Sequence, residues 1–140
     1  MKADLATLRG FFHLAPYMVD LGVEPVAVAE GQLTTVLVIA RRHLQHTGQV
    51  HAGVMAALAD HSMGAAAQTL APEGRWALTA ELKTSNLRPA KGERLVCEAR
   101  VLKASRNLSF TEAEVYAESD GQRTLVMKSS ATMALAEARP

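Results

Sequence analysis

The chain has 140 residues, 49% of them apolar, and its 15 Lys and Arg residues nearly balance 14 Asp and Glu residues. This length and composition predict one globular domain over residues 1–140, with a helical extension at 1–16. The small net charge and only six aromatic residues (three Phe, two Tyr, one Trp) argue against nucleic-acid binding and against polybasic attachment to a membrane.

Two local features bear on the cellular compartment. Cys97 is the single cysteine, which excludes an internal disulfide framework and a cysteine-rich zinc site and favours a reducing compartment. The apolar stretch Phe11–Val23 is interrupted by His13, Pro16 and Asp20, so it predicts neither a signal peptide nor a membrane span. We therefore expect a cytoplasmic protein.

The first half of the chain predicts a helix, a hairpin and a second helix. Apolar residues at helical spacing predict a helix over Ala3–Leu14, with Pro16 just beyond its end. The Val-, Leu- and Thr-rich runs Gly22–Ala29 and Gln32–Ala40 predict a β-hairpin. The alanine-rich segment His51–Leu70 has apolar residues on nearly every face, which predicts a helix buried on most sides.

The second half predicts four strands separated by turn residues. In the first, Leu78 and Leu82 are expected on one face; in the third, Leu108 and Phe110 begin the inward face before a bulge near Thr111–Glu112. The order α-β-β-α-β-β-β-β predicts an α+β fold with a helix against one antiparallel sheet. The four predicted strands are Leu78–Leu87, Glu93–Ala104, Leu108–Glu118 and Leu125–Leu135.

Asp60 is the acid in the otherwise apolar second helix. Burying a carboxylate there costs several kcal/mol unless the group is paired, so its presence needs a reason. Two explanations remain open: a catalytic carboxylate, or a structural one that faces a solvent-filled groove or caps a neighbouring element.

The start of the same helix offers a second candidate group. Backbone N–H groups near Ala52 and Gly53 lie at the positive end of the helix dipole and are able to hold an oxyanion. His51 is either part of this site or a structural hydrogen-bonding residue, and His46 is able to reach the same loop. His51 and Asp60 are about 13 Å apart on an ideal helix, so one chain does not easily bring both to one substrate atom. A symmetric dimer with antiparallel helices is able to, by placing Asp60 of one chain near the helix start of the other.

Three segments carry a resemblance to a known family. They are the pattern Gly48-x-x-His51-x-Gly53-x-x-x-x-Leu58-x-Asp60, the turn Leu87–Glu93, and Val101–Lys103 followed by Leu108–Phe110. In a chain of this length and element order they resemble the hotdog-fold acyl-CoA thioesterases of the phenylacetate-pathway (PaaI-like) type, over roughly residues 20 to 135. The resemblance implies a hotdog fold, in which an antiparallel sheet wraps a long central helix. It also implies a dimer with shared active sites, often assembled into a tetramer.

The resemblance further implies roles for individual residues. Asp60 matches the general base or nucleophile, and Thr79 matches a hydroxyl that orients water. Gln45 matches an amide that positions water or the thioester, and His51 lies beside the thioester carbonyl. Ala52 supplies the polarising N–H where the family commonly has glycine. The residues expected to contact substrate, including the phosphates of coenzyme A, are Gly53, Arg88, Pro89, Lys103, Ser105 and Arg106.

The expected function is hydrolysis of an acyl-CoA, or a related thioester, to a carboxylic acid and a free thiol. We expect no metal and no redox cofactor, since five scattered histidines and one cysteine give no ligand cluster and coenzyme A is part of the substrate. Two alternatives stay open: a non-catalytic acyl-CoA binding module, and an acyl-thioester hydratase or dehydratase. The acyl group is not specified, because Met55, Leu58 and Met63 suit aryl and fatty chains alike.

Overall fold

The computed structural model describes residues 1–138. Its strands form one antiparallel sheet of six, and the long helix over Ala52–Leu70 packs across five of the six strands. Along the sheet the strand order is β1-β2-β4-β5-β6-β3, which confirms the predicted α+β arrangement. The elements are α1 (Leu5–His13), α2 (Pro16–Leu21), β1 (Val23–Ala29), β2 (Gln32–Val38), a 3-10 turn (Arg41–His43), α3 (Ala52–Leu70), β3 (Arg75–Asn86), β4 (Arg94–Ala104), β5 (Leu108–Ser119) and β6 (Gln122–Glu137).

Helix α3 is the centre of the core, as its composition predicts. Its alanines let the sheet strands approach closely, while Leu58 and Met63 are completely buried. Helix α1 closes the core from the side with Leu8 and Phe12, which are also fully buried. Within residues 1–138, no helix is both long and apolar enough to cross a bilayer.

Helix α2 was not predicted from the sequence. Pro16 does end the first helical segment, but it also occupies the first turn of α2, where its missing N–H would have had no partner. Gly22 then ends this six-residue helix in the left-handed conformation, with φ of 81°. So short a helix carries too few apolar residues to show a period of its own.

The prediction that Leu78 and Leu82 share a face of β3 is wrong. A bulge at Ala80 shifts the register, so Thr79 pairs with Met133 whereas Glu81 pairs with Thr132. Leu78 lies before the bulge and Leu82 after it, which puts the two leucines on opposite faces. The same shift leaves Thr79 on the face covered by α3.

The prediction for β5 is also wrong in its first residues. Leu108 and Phe110 are 39% and 41% exposed, whereas Ser109 and Thr111 are buried, so the inward face runs without a phase slip. Thr111 Oγ1 donates to the Ala131 carbonyl at 2.9 Å, which satisfies its buried hydroxyl. The bulge lies on the neighbouring strand β4, between Val101 and Lys103.

Cys97 lies in the core beside the bonded hydroxyls of Thr35 and Ser62, which are 2.7 Å apart. Burial raises the pKa of the Cys97 thiol to about 12, which leaves only about one thiol in ten thousand ionised at pH 8. We expect a disulfide reagent to find no reactive thiol in the native protein and one per chain after denaturation. Fast stoichiometric labelling of native protein would contradict this placement.

Candidate active site

The first turn of α3 is organised by His51. His51 has extended backbone angles (φ −61°, ψ 135°), and its Nδ1 accepts the Gly53 N–H at 2.8 Å. The His51 carbonyl accepts the Val54 N–H at 3.0 Å. The Ala52 N–H donates to no acceptor in the part of the chain that the structure describes. It is therefore the donor of this turn that remains available to a ligand.

A buried histidine fixes the loop that leads into α3. His43 Nδ1 accepts the Ala40 N–H at 2.9 Å, so its Nε2 carries the proton that is donated to the Leu21 carbonyl at 2.8 Å. The His43 carbonyl in turn accepts the His51 N–H at 2.8 Å. His43 thus holds this part of the chain in two ways: its ring binds Ala40 and Leu21, and its carbonyl binds the residue that caps α3.

A cleft of about 330 Å³ opens beside this turn, and we call it the helix-start cleft. The side of the cleft formed by Leu87–Ala90 is joined to the loop before α3, because the Val50 N–H donates to the Ala90 carbonyl at 2.8 Å. Four residues expected in the site line the cleft, namely Gln45, Ala52, Arg88 and Pro89. The other lining residues are Gln49, Val50, Met55, Asn86, Leu87 and Ala90.

Asp60 lies away from this cleft, where α3 faces β3. It is half-buried, and its Oδ1 accepts the Thr79 hydroxyl at 2.7 Å. The Thr79 hydroxyl also lies 3.5 Å from the Met133 sulfur. The structure therefore brings together the carboxylate and the hydroxyl that the family resemblance places side by side. Thr79 pairs with Met133 and its side chain faces α3, and the bulge at Ala80 shifts the strand pairing directly after it.

His61, the residue after Asp60, belongs to an aromatic cluster. Its ring stacks on Phe11 with centroids 5.8 Å apart and meets the edge of Phe12 at 4.7 Å. Burial lowers the pKa of His61, against the raising effect of the Asp60 carboxylate. His61 is thus a neutral ring at neutral pH and gives Asp60 no cationic partner.

The basic residues expected to contact phosphate lie in two separate places. Lys103, Ser105 and Arg106 are exposed at the turn between β4 and β5. Arg88 lies near the opposite end of the sheet, because its side chain donates to the Leu125 carbonyl at 2.9 Å, level with Val96 of β4. The eight residue steps from Val96 to Ala104 span about 26 Å. The β4–β5 turn is at the Thr79 end of the sheet, since Ser109 and Thr79 both pair with Met133.

The candidate residues of one chain therefore lie in two separate groups, which we call the two half-sites. The first contains Gln45, Ala52 and Arg88 at the helix-start cleft, and the second contains Asp60 and Thr79. Eight residues of ideal helix separate Ala52 from Asp60 by about 12 Å, which is too far for both to act on one carbonyl. Within residues 1–138, no group of three His, Cys, Asp or Glu side chains is placed to hold a metal ion.

The cleft also contains two amide side chains that were not predicted from the sequence, Gln49 and Asn86. Asn86 is the last residue of β3 and directly precedes the turn that contains Arg88 and Pro89. The position of Asn86 just before this turn was the feature of the sequence that could have identified it as a site residue. The sequence left open whether His46 or His51 belongs to the site. In the single chain neither histidine lines the cleft, and His51 caps the helix.

This chain is similar to known proteins both in sequence and in structure. A Caenorhabditis elegans protein named "Putative esterase" is 35% identical over 101 residues, which are 71% of this chain and 59% of that protein. The matched region thus spans less than two thirds of that relative. A thioesterase family protein from Silicibacter pomeroyi is 31% identical in its crystal structure, with a TM-score of 0.91, over 94% of this chain and 96% of that one.

The Escherichia coli PaaI protein from the phenylacetic acid degradation operon shares the fold, at 17% identity and a TM-score of 0.82, over 91% of this chain and 89% of that one. The family described as Thioesterase superfamily matches residues 47–124, more than half of the 140-residue chain. That segment contains the start of α3, Asp60, Thr79 and the Arg88 turn. The chain therefore belongs to the thioesterase superfamily and has its hotdog fold.

Proposed function

We propose that this protein hydrolyses an acyl thioester of coenzyme A to a carboxylic acid and a free thiol. The observation that carries the proposal is the half-buried Asp60, the single acid of the mostly apolar helix α3, which the Thr79 hydroxyl holds at 2.7 Å in a thioesterase-superfamily chain. The single thiol, Cys97, is free and buried, which fits the cytoplasmic location that we include in the proposal.

Asp60 acts on water or on the thioester carbon. Its Oδ1 is occupied by Thr79, while its other oxygen has no hydrogen-bond partner among residues 1–138. As general base, that oxygen removes a proton from water, whose oxygen adds to the carbonyl carbon; the C–S bond then breaks and the thiolate leaves with that proton. As nucleophile, it attacks the carbonyl carbon and expels the thiolate, and water then hydrolyses the resulting mixed anhydride to the carboxylic acid and the free Asp60 carboxylate. In both routes the Thr79 hydroxyl fixes the carboxylate and stands beside the attacking atom.

The Ala52 N–H polarises the thioester carbonyl in this proposal. It has no acceptor among residues 1–138 and lies at the positive end of a nineteen-residue helix, and Ala52 lines the helix-start cleft. Removal of a single oxyanion donor costs other enzymes about 10²–10³-fold in kcat. Gln45 lines the same cleft and supplies an amide next to the reacting group.

The two half-sites meet in a homodimer. Strand β3 is the longer of the two edge strands, with twelve residues against seven in β1, and it leaves Trp76 and Leu78 44% and 55% exposed. A long apolar edge strand favours pairing with a second chain. Antiparallel pairing of two β3 strands sets the α3 helices side by side, so that Asp60 of each chain approaches the Ala52 of the other.

Pairing of the two β3 strands also brings basic residues of the two chains close together. Lys103 and Arg106 lie at the Asp60 end of one chain, and Arg88 lies at the Ala52 end. Across the dimer these groups approach one another and provide cations for the phosphates of coenzyme A. Ser105 holds the β4–β5 turn through a 2.8 Å bond from its hydroxyl to the Leu108 carbonyl.

The test is release of free thiol from a panel of short, long and aryl acyl-CoA esters. We expect at least one ester to be cleaved catalytically, with the acyl group recovered as the carboxylic acid. Binding of these esters without thiol release would favour the binding module. Addition of water across the double bond of an enoyl-CoA, with the thioester intact, would favour a hydratase.

A further inference from the structure

We propose that His51 is a positioning residue, which holds the Gly53 N–H and thereby leaves the Ala52 N–H as the single donor offered to the substrate. This inference rests on the proposed function, and it assigns His51 a role without proton transfer and without contact with the substrate. The 2.8 Å bond from the Gly53 N–H to His51 Nδ1 is its basis.

The bond determines the chemical state of the ring. A nitrogen that accepts an N–H carries no proton, so Nδ1 is the lone-pair nitrogen and Nε2 carries the hydrogen. The ring therefore serves as a helix cap, in the place where Asn, Asp and Ser usually serve. Its backbone angles are those of a capping residue.

Gly53 fits the ring because it has no side chain. A Cβ at this position would lie 3.0 Å from His51 Nδ1 and 3.3 Å from Cε1. These distances are tighter than ordinary contacts, so a side chain at 53 displaces the imidazole. His51 and Gly53 thus form one unit, in which the glycine leaves room for the capping ring and has no left-handed backbone angle.

The unit sets the direction of the Ala52 N–H. The His51 N–H is bound to the His43 carbonyl at 2.8 Å, and the His51 side chain closes onto Gly53. Ala52 lies between these two anchored residues, so its N–H has a fixed direction into the helix-start cleft. Loss of the capping bond frees the Gly53 N–H and loosens the first turn, which weakens polarisation of the carbonyl.

His51→Asn and His51→Leu provide a matched pair of tests. In asparagine, Oδ1 is attached to Cγ as Nδ1 is in histidine, so it offers the same acceptor without a ring or a titratable nitrogen. Leucine has comparable bulk and no acceptor. We expect His51→Asn to keep kcat within about threefold, and His51→Leu to lower kcat by about tenfold or more with little change in KM.

Hydrogen exchange of the Gly53 amide measures the cap without any substrate. We expect slow exchange in the native protein and in His51→Asn, and exchange about tenfold faster in His51→Leu. Gly53→Ala keeps the imidazole but displaces it, so its kcat should fall towards that of His51→Leu.

Three results would overturn the inference. His51→Asn could lose as much kcat as His51→Leu while Gly53 stays protected, which would give the ring a direct part in the reaction. His51→Leu could keep full kcat, or Gly53 could exchange equally fast in the parent protein and in His51→Leu. Absence of cleavage of every thioester by the parent protein would refute the proposed function and the positioning role with it, while the exchange rates would still decide whether His51 caps the helix.

Discussion

Asp60→Asn is expected to lower kcat for thioester hydrolysis by about 10²–10⁴-fold, the range found for removal of a general base. Asparagine keeps the size of the side chain, and its carbonyl oxygen still accepts the Thr79 hydroxyl that lies 2.7 Å from Asp60 Oδ1. The variant loses the group that takes a proton or attacks carbon. Thiol release at saturating substrate measures kcat, and thermal unfolding checks that the fold is retained.

Glu73→Gln is the matched control for this experiment. Glu73 is an exposed acid in the turn after α3, and its replacement removes the same charge outside both half-sites. We expect its kcat to equal that of the parent protein. If Asp60→Asn also retained most of its kcat, Asp60 would be a structural acid and the proposed mechanism would be wrong.

Mixing two inactive variants is expected to restore about a quarter of the parent activity, because each active site is shared between chains. One variant is Asp60→Asn. The other is Ala52→Pro, which deletes the free N–H at the first helical position, where proline is well tolerated. The extended backbone of His51 (φ −61°, ψ 135°) is already that of a residue before proline.

Recovery follows from how the lesions are distributed. In a mixed dimer, one site combines an intact Asp60 with the partner's intact Ala52, and the other site contains both lesions. Random refolding gives about half mixed dimers, each with one working site of two, hence roughly a quarter of full activity. Ala52→Gly, which keeps the N–H, serves as the control and should remain active.

The outcome is decisive in both directions. If each site lay within one chain, every chain in the mixture would carry a lesion and no activity would return. Absence of recovery, once mass measurements had shown mixed dimers to be present, would rule out the shared site. Activity in Ala52→Pro that had been unfolded and refolded alone would show that the refolding step, rather than complementation between chains, produced the signal.

The sequence by itself determined the periodic elements and the unusual acid. The helix predicted over His51–Leu70 is observed as α3 with His51 as its cap, because small apolar residues on all faces stabilise only a buried helix. Asp60 stood out for the same reason, since a lone carboxylate in such a helix is costly. These features depend on residues near one another in the chain, and local spacing therefore reports them.

Tertiary structure alone decided which faces and which partners those residues have. The bond between Asp60 and Thr79 joins residues nineteen positions apart on a helix and a strand. The bulge at Ala80 reverses the faces of β3, and the buried Ser109 and Thr111 reverse the expectation for β5. Alternation specifies that two faces exist, but only packing against α3 selects the inner one, because burial depends on what lies opposite the strand and not on the strand itself.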